Sequence, residues 1–320
     1  MLDNLGDGHG WRGRSLVTLA DVSPAEFRAV LAGAAIFKTL HRERSQELRW
    51  AYPRTLAMIF EKPSLRTRVS FEAGMTQLGG HAIYLGPADI GLGTREPAPD
   101  VALALSRWVD IISARVFRHD TVEQLAASAS VPVINALSDS EHPIQAFADL
   151  LTLQERKGEL GGHLNVAYIG DGNNVLHALL LACAKMGVNL SAACPAGYLP
   201  DPRYVRMAEE AAAATGARIS IVSDPAEAAE DADALYTDVW TSMGQEDEKQ
   251  ERLAVFAPFQ VNADLMRGAR HDAIVLHCLP AHAGEEISAE VFQHHRTVIM
   301  DQAENRMHTQ KALIALMLGF

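Results

Sequence analysis

Two arginines, a serine and a threonine crowd into the string FEKPSLRTR, as Ser64, Arg66, Thr67 and Arg68. An apolar run, Thr55 to Phe60, precedes the string and a helical pattern follows it. The cluster therefore belongs to a strand end and a helix start. Free backbone N–H groups and the helix dipole favour an anion there, and hydroxyl and guanidinium donors would grip a phosphate from several sides. The plainer alternative is a solvated turn whose arginines pair with Glu61 and Glu72. Arg115 poses a similar choice. It closes the apolar run Ile111 to Val116, where a charge is costly without a ligand or a carboxylate such as Asp110 or Asp120. In EHPIQ, Glu141 to Gln145, a proline opens a helix with His142 just before it and Gln145 one turn in, so both side chains face the same side. A histidine in that position is otherwise a cap or a surface residue.

The second half carries three more candidates. IGDGNNV, Ile169 to Val175, follows an apolar run but lacks the third glycine of a dinucleotide fingerprint. No acidic residue closes the next run near Leu190 either, so a nicotinamide cofactor is not expected. Asn174 instead offers polar groups to a small zwitterion. TDVWTSMG, Thr237 to Gly244, places Asp238, Ser242 and Met243 in a strand-end loop, where Asp238 can meet an ammonium group. A capped turn with Met243 as core filler is the plain alternative. HCLPAH, His277 to His282, ends an apolar run with Cys278, and Leu279 and Pro280 turn the chain. A buried cysteine is usually inert, and the two histidines lack a third ligand at a useful spacing, so no metal is expected.

The elements that must position these residues alternate between strand and helix. Ser23-Pro24-Ala25-Glu26 predicts a capped helix start, with apolar residues at helical spacing through Leu40. Strands are expected at Thr55 to Phe60, His81 to Leu85, Ile111 to Val116 and Val131 to Asn135, with helices near Ala98 to Trp108 and Thr121 to Ala129. A helical pattern from Pro143 to Arg156 leads to Gly158, Gly161 and Gly162. Strands then recur at Leu164 to Ile169, Leu190 to Cys194, Arg218 to Val222, Ala234 to Val239, Ile274 to Cys278 and Thr297 to Met300. A last helix, about Ala303 to Leu318, carries Arg306 on its exposed first turn. This alternation predicts an α/β protein of two domains. Each is a parallel β-sheet flanked by helices, with sites at the carboxyl ends of the strands. The expected division is 1–145, completed by the helix 303–320, and 146–302.

A chain of 320 residues, 48% hydrophobic and 21% charged, suits two globular domains. Its formal net charge of -12 argues against nucleic-acid binding, which needs a broad basic face, so an anionic ligand must be held locally. No apolar stretch reaches the ~18 residues of a membrane span, and the polar N-terminus is unlike a secretory signal. A cytoplasmic location is the expectation. Three cysteines without CxxC spacing point to neither a disulfide framework nor a cysteine zinc site.

The motifs carry a family resemblance. FEKPSLRTRVSFE is similar to the SxRTR signature of the aspartate and ornithine carbamoyltransferases, and HPIQAFADLLTLQE resembles their HPxQxLxDLxT signature. The SMG loop and HCLP resemble the ornithine enzymes, whereas the aspartate enzymes use basic residues there. By this resemblance Ser64, Leu65, Arg66 and Thr67 bind the phosphate of carbamoyl phosphate, and Arg68 shapes the loop. Leu65 replaces the usual threonine, leaving its backbone N–H. The resemblance further implies that Arg115, His142 and Gln145 surround the carbonyl, that Cys278 and Leu279 belong to the same set, and that Arg306, in ENRMHTQKAL, reaches back to the phosphate. Asn174, Asp238, Ser242 and Met243 would contact ornithine. Arg66, Arg115, His142 and Cys278 would be the catalytic residues. The family also implies homotrimers, or multiples of trimers, in which the loop YLGPADIGLGTREP (Tyr84 to Pro97) enters a neighbouring site; many members have glutamine at the position of Gly91.

The implied reaction is carbamoyl transfer to the δ-amine of ornithine, giving citrulline and phosphate in arginine metabolism. It requires donors around the oxygen that gains negative charge, and alignment of two bound substrates. It calls for no cofactor, because carbamoyl phosphate is already activated, and the phosphate itself can accept the amine proton. Putrescine or an N-acylated ornithine remains an alternative acceptor, and a binding protein without activity is a reading from another class.

Overall fold

The computed structural model describes residues 10–43, 49–50, 52–241 and 246–319. The chain divides into two compact units, Met1–Ala148 with Glu304–Phe320, and Asp149–Ala303.

The first unit opens with the helix α1 (Pro24–Arg42). Its N-terminus is fixed by the expected capping box, in which Ser23 accepts from the Glu26 N–H and Glu26 accepts from the Ser23 N–H. The strands β1 (Thr55–Phe60), β2 (His81–Leu85), β3 (Ile111–Arg115) and β4 (Val133–Leu137) form a parallel sheet in the order β2-β1-β3-β4. The helices α2 (Leu65–Gln77), α3 (Pro87–Ile90), α4 (Ala98–Leu105) and α5 (His119–Ser128) connect these strands. Buried residues such as Ala57, Ile59, Val101, Ile112, Val122 and Val133 form one core beneath the sheet. The helix α6 (Pro143–Lys157) contains the division between the units.

In the second unit β5 (Asn165–Ile169), α7 (Asn174–Met186), β6 (Asn189–Ala193), α8 (Pro202–Thr215), β7 (Ile219–Val222), α9 (Pro225–Ala229), β8 (Ala234–Thr237), α10 (Lys249–Phe256), α11 (Ala263–Met266) and β9 (Ile274–His277) follow in turn. The sheet is parallel throughout, in the order β7-β6-β5-β8-β9. Ala167, Ile169, Leu235, Val261 and Val275 are among the buried residues of its core.

One expected strand is absent. Thr297 to Met300 lies inside α12 (Ala289–Leu318), a single helix of 30 residues. Their β-branched run reads as a strand in isolation, but neither glycine nor proline interrupts 289–318, and burial falls at helical spacing on Val291, Ile299 and Gln302. Arg306 is consequently not on an exposed first turn. It sits in mid-helix and is 3% exposed. The strand expected at Val131 begins instead at Val133, immediately after Pro132.

Topology singles out one place in each sheet. The chain leaves β1 for β2 on one side and returns to β3 on the other; in the second unit it leaves β5 for β6 and returns to β8. Loops diverge at such switch points, leaving a crevice at the carboxyl ends of the two central strands.

Candidate active site

At the first switch point Ser64 caps α2, its Oγ accepting from the Thr67 N–H at 3.3 Å and donating to Thr67 Oγ1 at 3.1 Å. Arg306 donates from Nη2 to Thr67 Oγ1 at 2.7 Å, so α12 supplies a guanidinium to the helix start. Thr67 is fully buried, while Leu65 points outward with 73% exposure and leaves its backbone at the loop. Arg68 takes the plainer alternative. It pairs with Glu72 at 2.9 Å and lies 4.0 Å from the Tyr84 ring centroid.

Arg115 ends β3 opposite Phe60, next to that loop, and is buried. Its two suggested carboxylates are engaged elsewhere, Asp110 by Arg54 at 2.7 Å and Asp120 by Arg118 at 2.8 Å. His142 precedes α6, its carbonyl accepting from the Gln145 N–H at 3.0 Å, and both residues are buried. Burial first, then the charges of Arg306, Arg115, Lys62 and Arg66, hold the His142 pKa well below the usual histidine range. The imidazole is therefore neutral at physiological pH. Its Nδ1 is buried and meets no hydrogen-bond partner among the described residues. A neutral histidine ringed by cations can attract an anion and donate to an oxygen that gains negative charge.

Two contributors escaped sequence reasoning. Lys62 lies 4.9 Å from the Phe117 ring centroid, and burial followed by Arg115 lowers its pKa. Glu141 is fully buried, accepts from the Leu19 N–H at 2.9 Å and from the Thr18 hydroxyl, and so pins the turn before His142 to the N-terminal segment. Neither had a signal beyond adjacency to a motif.

At the second switch point Asp238 follows β8 and is 5% exposed. Its Oδ1 accepts from Cys278 Sγ at 2.9 Å and from the Val239 N–H at 2.8 Å, and its Oδ2 accepts from Asn173 Nδ2 at 2.9 Å. None of these donors is a basic side chain. A buried carboxylate with such partners can accept hydrogen bonds from a substrate ammonium. Asn173, overlooked in the sequence, also caps α7 by accepting from the N–H groups of Val175 and Leu176. Asn174 is the first residue of that helix and is half-buried. Ser242 and Met243 lie outside the described residues.

Cys278 and Leu279 follow β9, in the second unit. Leu279 has φ +61, a left-handed conformation that branched side chains seldom adopt. It is held by the Leu279 N–H, which donates to His277 Nδ1 at 2.8 Å. That bond places the histidine proton on Nε2, 3.1 Å from Glu286 Oε1. Glu286, fully buried, was also missed; it further accepts from the His282 N–H. Ligand atoms of Asp238, His277 and Cys278 lie within 4.8 Å of one another, as do those of His282, Glu285 and Glu286. In the first group, Asp238 and His277 are already occupied by the hydrogen bonds just described.

Fold and residues define a doubly wound α/β protein of two units, with cationic side chains gathered around His142 at one switch point and the buried Asp238 carboxylate at the other. Residues 14–155 match the aspartate/ornithine carbamoyltransferase carbamoyl-P binding domain, and residues 162–317 the Asp/Orn binding domain of the same enzymes. The chain is 50% identical over 308 residues to an ornithine carbamoyltransferase of Pyrococcus horikoshii, covering 96% of each chain. It is 51% identical over 306 residues to that of Bacillus subtilis, covering 96% of this chain and 94% of the other. The ornithine carbamoyltransferase structure from Pyrococcus furiosus superposes with a TM-score of 0.93 at 49% identity, covering 96% and 98% of the two chains. An anabolic ornithine carbamoyltransferase structure from Campylobacter jejuni gives 0.88 at 39% identity, covering 94% and 98%. The chain belongs to the aspartate/ornithine carbamoyltransferase family.

Proposed function

We propose that the chain is an ornithine carbamoyltransferase, transferring the carbamoyl group of carbamoyl phosphate to the δ-amine of L-ornithine with release of phosphate and L-citrulline. Ser64, the backbone of Leu65, Arg66, Thr67 and Arg306 hold the phosphate. Arg115, His142 and Gln145 hold the carbonyl oxygen, which gains charge as the amine attacks. Neutral His142 donates a hydrogen bond without taking the proton needed elsewhere. The C–N bond forms, the C–O bond to phosphate breaks, and the departing phosphate accepts the amine proton. Asp238, Asn174, Ser242 and Met243 bind ornithine. Cys278, hydrogen-bonded to Asp238, stands by the δ-amine, and the Leu279 carbonyl is an acceptor for substrate N–H groups.

The observation carrying this reading is the pairing of two unlike sites in one chain, a cluster of cationic side chains around neutral His142 and a hydrogen-bonded carboxylate and thiol, Asp238 and Cys278. Basic residues, which a second substrate carboxylate would need, are absent from the contacts of Asp238 among the described residues. The anabolic names of relatives from Pyrococcus furiosus and Campylobacter jejuni support a place in arginine biosynthesis. We propose further that the protein is cytoplasmic and works as a homotrimer or a multiple of trimers. Among the described residues no helix is long and apolar enough to cross a membrane. Light scattering tests the assembly.

An acceptor panel tests the activity. Ureido-product formation with ornithine should exceed that with putrescine, N-acetylornithine and aspartate. Equal or faster turnover of putrescine would replace ornithine as the substrate, and ligand binding without phosphate release would make the chain a binding protein.

A further inference from the structure

Arg252 of α10 is 3% exposed, yet none of the motifs includes it. Its Nη2 donates to Asp171 Oδ2, its Nε donates to the Trp240 carbonyl, and its Nη1 lies 3.2 Å from Glu248 Oε2. The guanidinium also lies 4.7 Å from the Tyr198 ring centroid and 5.2 Å from that of Phe256. One side chain thus joins the loops that follow β5, β6 and β8. Two of those loops carry the amine site: Asp171 is two residues before Asn173, Trp240 is two residues after Asp238, and Asn173 donates to Asp238. The loop after β6 leaves the turn no slack, because a Cβ on Gly172 would come within 2.2 Å of Pro200 N and 2.3 Å of the Leu199 carbonyl carbon.

We infer that Arg252 is a positioning residue for the acceptor, its grip on Asp171 and on the Trp240 carbonyl setting the Asn173–Asp238 contact at which the substrate ammonium is held. It touches no substrate atom and acts only through these two loops. The inference rests on the carbamoyltransferase reading and adds to it a determinant of acceptor affinity. Binding of carbamoyl phosphate, assigned to other residues, does not depend on the clamp.

The test is steady-state kinetics of the full-length Arg252→Gln protein, with Asp171→Asn as a second variant that preserves shape and weakens the same contact. For each folded variant, judged by thermal unfolding, the KM for ornithine should rise about tenfold, while kcat and the KM for carbamoyl phosphate stay within about twofold of wild type. An ornithine KM within twofold of wild type in either folded variant would overturn the inference. So would a parallel loss in both substrates, which marks general packing. If the wild type carbamoylates a different amine, the ornithine assignment fails and the same ratio, measured with that amine, decides the clamp. A wild type that carbamoylates no amine ends both.

Discussion

At the scale of residues, two kinds of polar group stand apart. Arg66, Arg115 and Arg306 are assigned to negative charge, and burial first, then the charges of these arginines and Lys62, keep His142 neutral. Asp238 is assigned to positive charge, and among the described residues its hydrogen-bond donors are Asn173, the Val239 N–H and Cys278. Substitutions should split along the same line. Arg115→Ala removes a donor from the developing oxyanion and should lower kcat by about 10²–10³. Asp238→Ala should mainly raise the ornithine KM and leave carbamoyl phosphate affinity unchanged. Initial-rate kinetics with each substrate varied in turn checks both, and near-normal turnover by the Arg115 variant would show that the carbonyl lies elsewhere.

At the scale of elements, most of the proposed site residues sit where two parallel sheets change winding direction, and short loops fix them there. Gly172 tests how tightly. Its missing Cβ faces backbone atoms of Leu199 and Pro200, which cannot swing aside as a flexible side chain would. Gly172→Ala should therefore destabilise the protein by about 1–3 kcal/mol, read as a lower unfolding midpoint; an unchanged midpoint would mean that the turn has room. Much of this scale was legible in the sequence, because a strand end followed by a capped helix start is written locally, as at Phe60 to Arg68 and Ile169 to Val175. What was not legible depended on contacts remote in sequence. Thr297 to Met300 has strand propensity, but the helix around it decides. Glu141 acquires its role from Thr18 and Leu19, 123 and 122 residues away. Arg252 acquires its role from Asp171, 81 residues away. Glu286 is closer to His277, but nothing in HCLPAHAGEE says which of two glutamates is buried.

At the scale of the whole molecule, an acidic chain with net charge -12 gathers Lys62, Arg66, Arg115 and Arg306 around buried His142. Burial has a consequence for stability. The pKa of His142 lies well below 6.5, and burial lowers His295 and His308 from 6.5 to about 4. Between those values the unfolded chain binds protons that the folded protein does not, so stability falls as pH falls through this window. Asp171, raised by burial from 3.8 to about 6, opposes with a single proton. The unfolding midpoint should therefore drop from pH 7 to pH 5, and the drop should be shallower in a His295→Gln/His308→Gln protein. Identical slopes for the two proteins would contradict the assignment of these histidines.

The most direct measurement is calorimetric titration with a bisubstrate analogue that joins a phosphonate to ornithine, set against its aspartate counterpart. An enzyme that brings carbamoyl phosphate to the δ-amine of ornithine should bind the ornithine analogue at least about a hundredfold more tightly, because the analogue spans both substrates in their reacting arrangement. Equal affinities, or preference for the aspartate compound, would contradict the account.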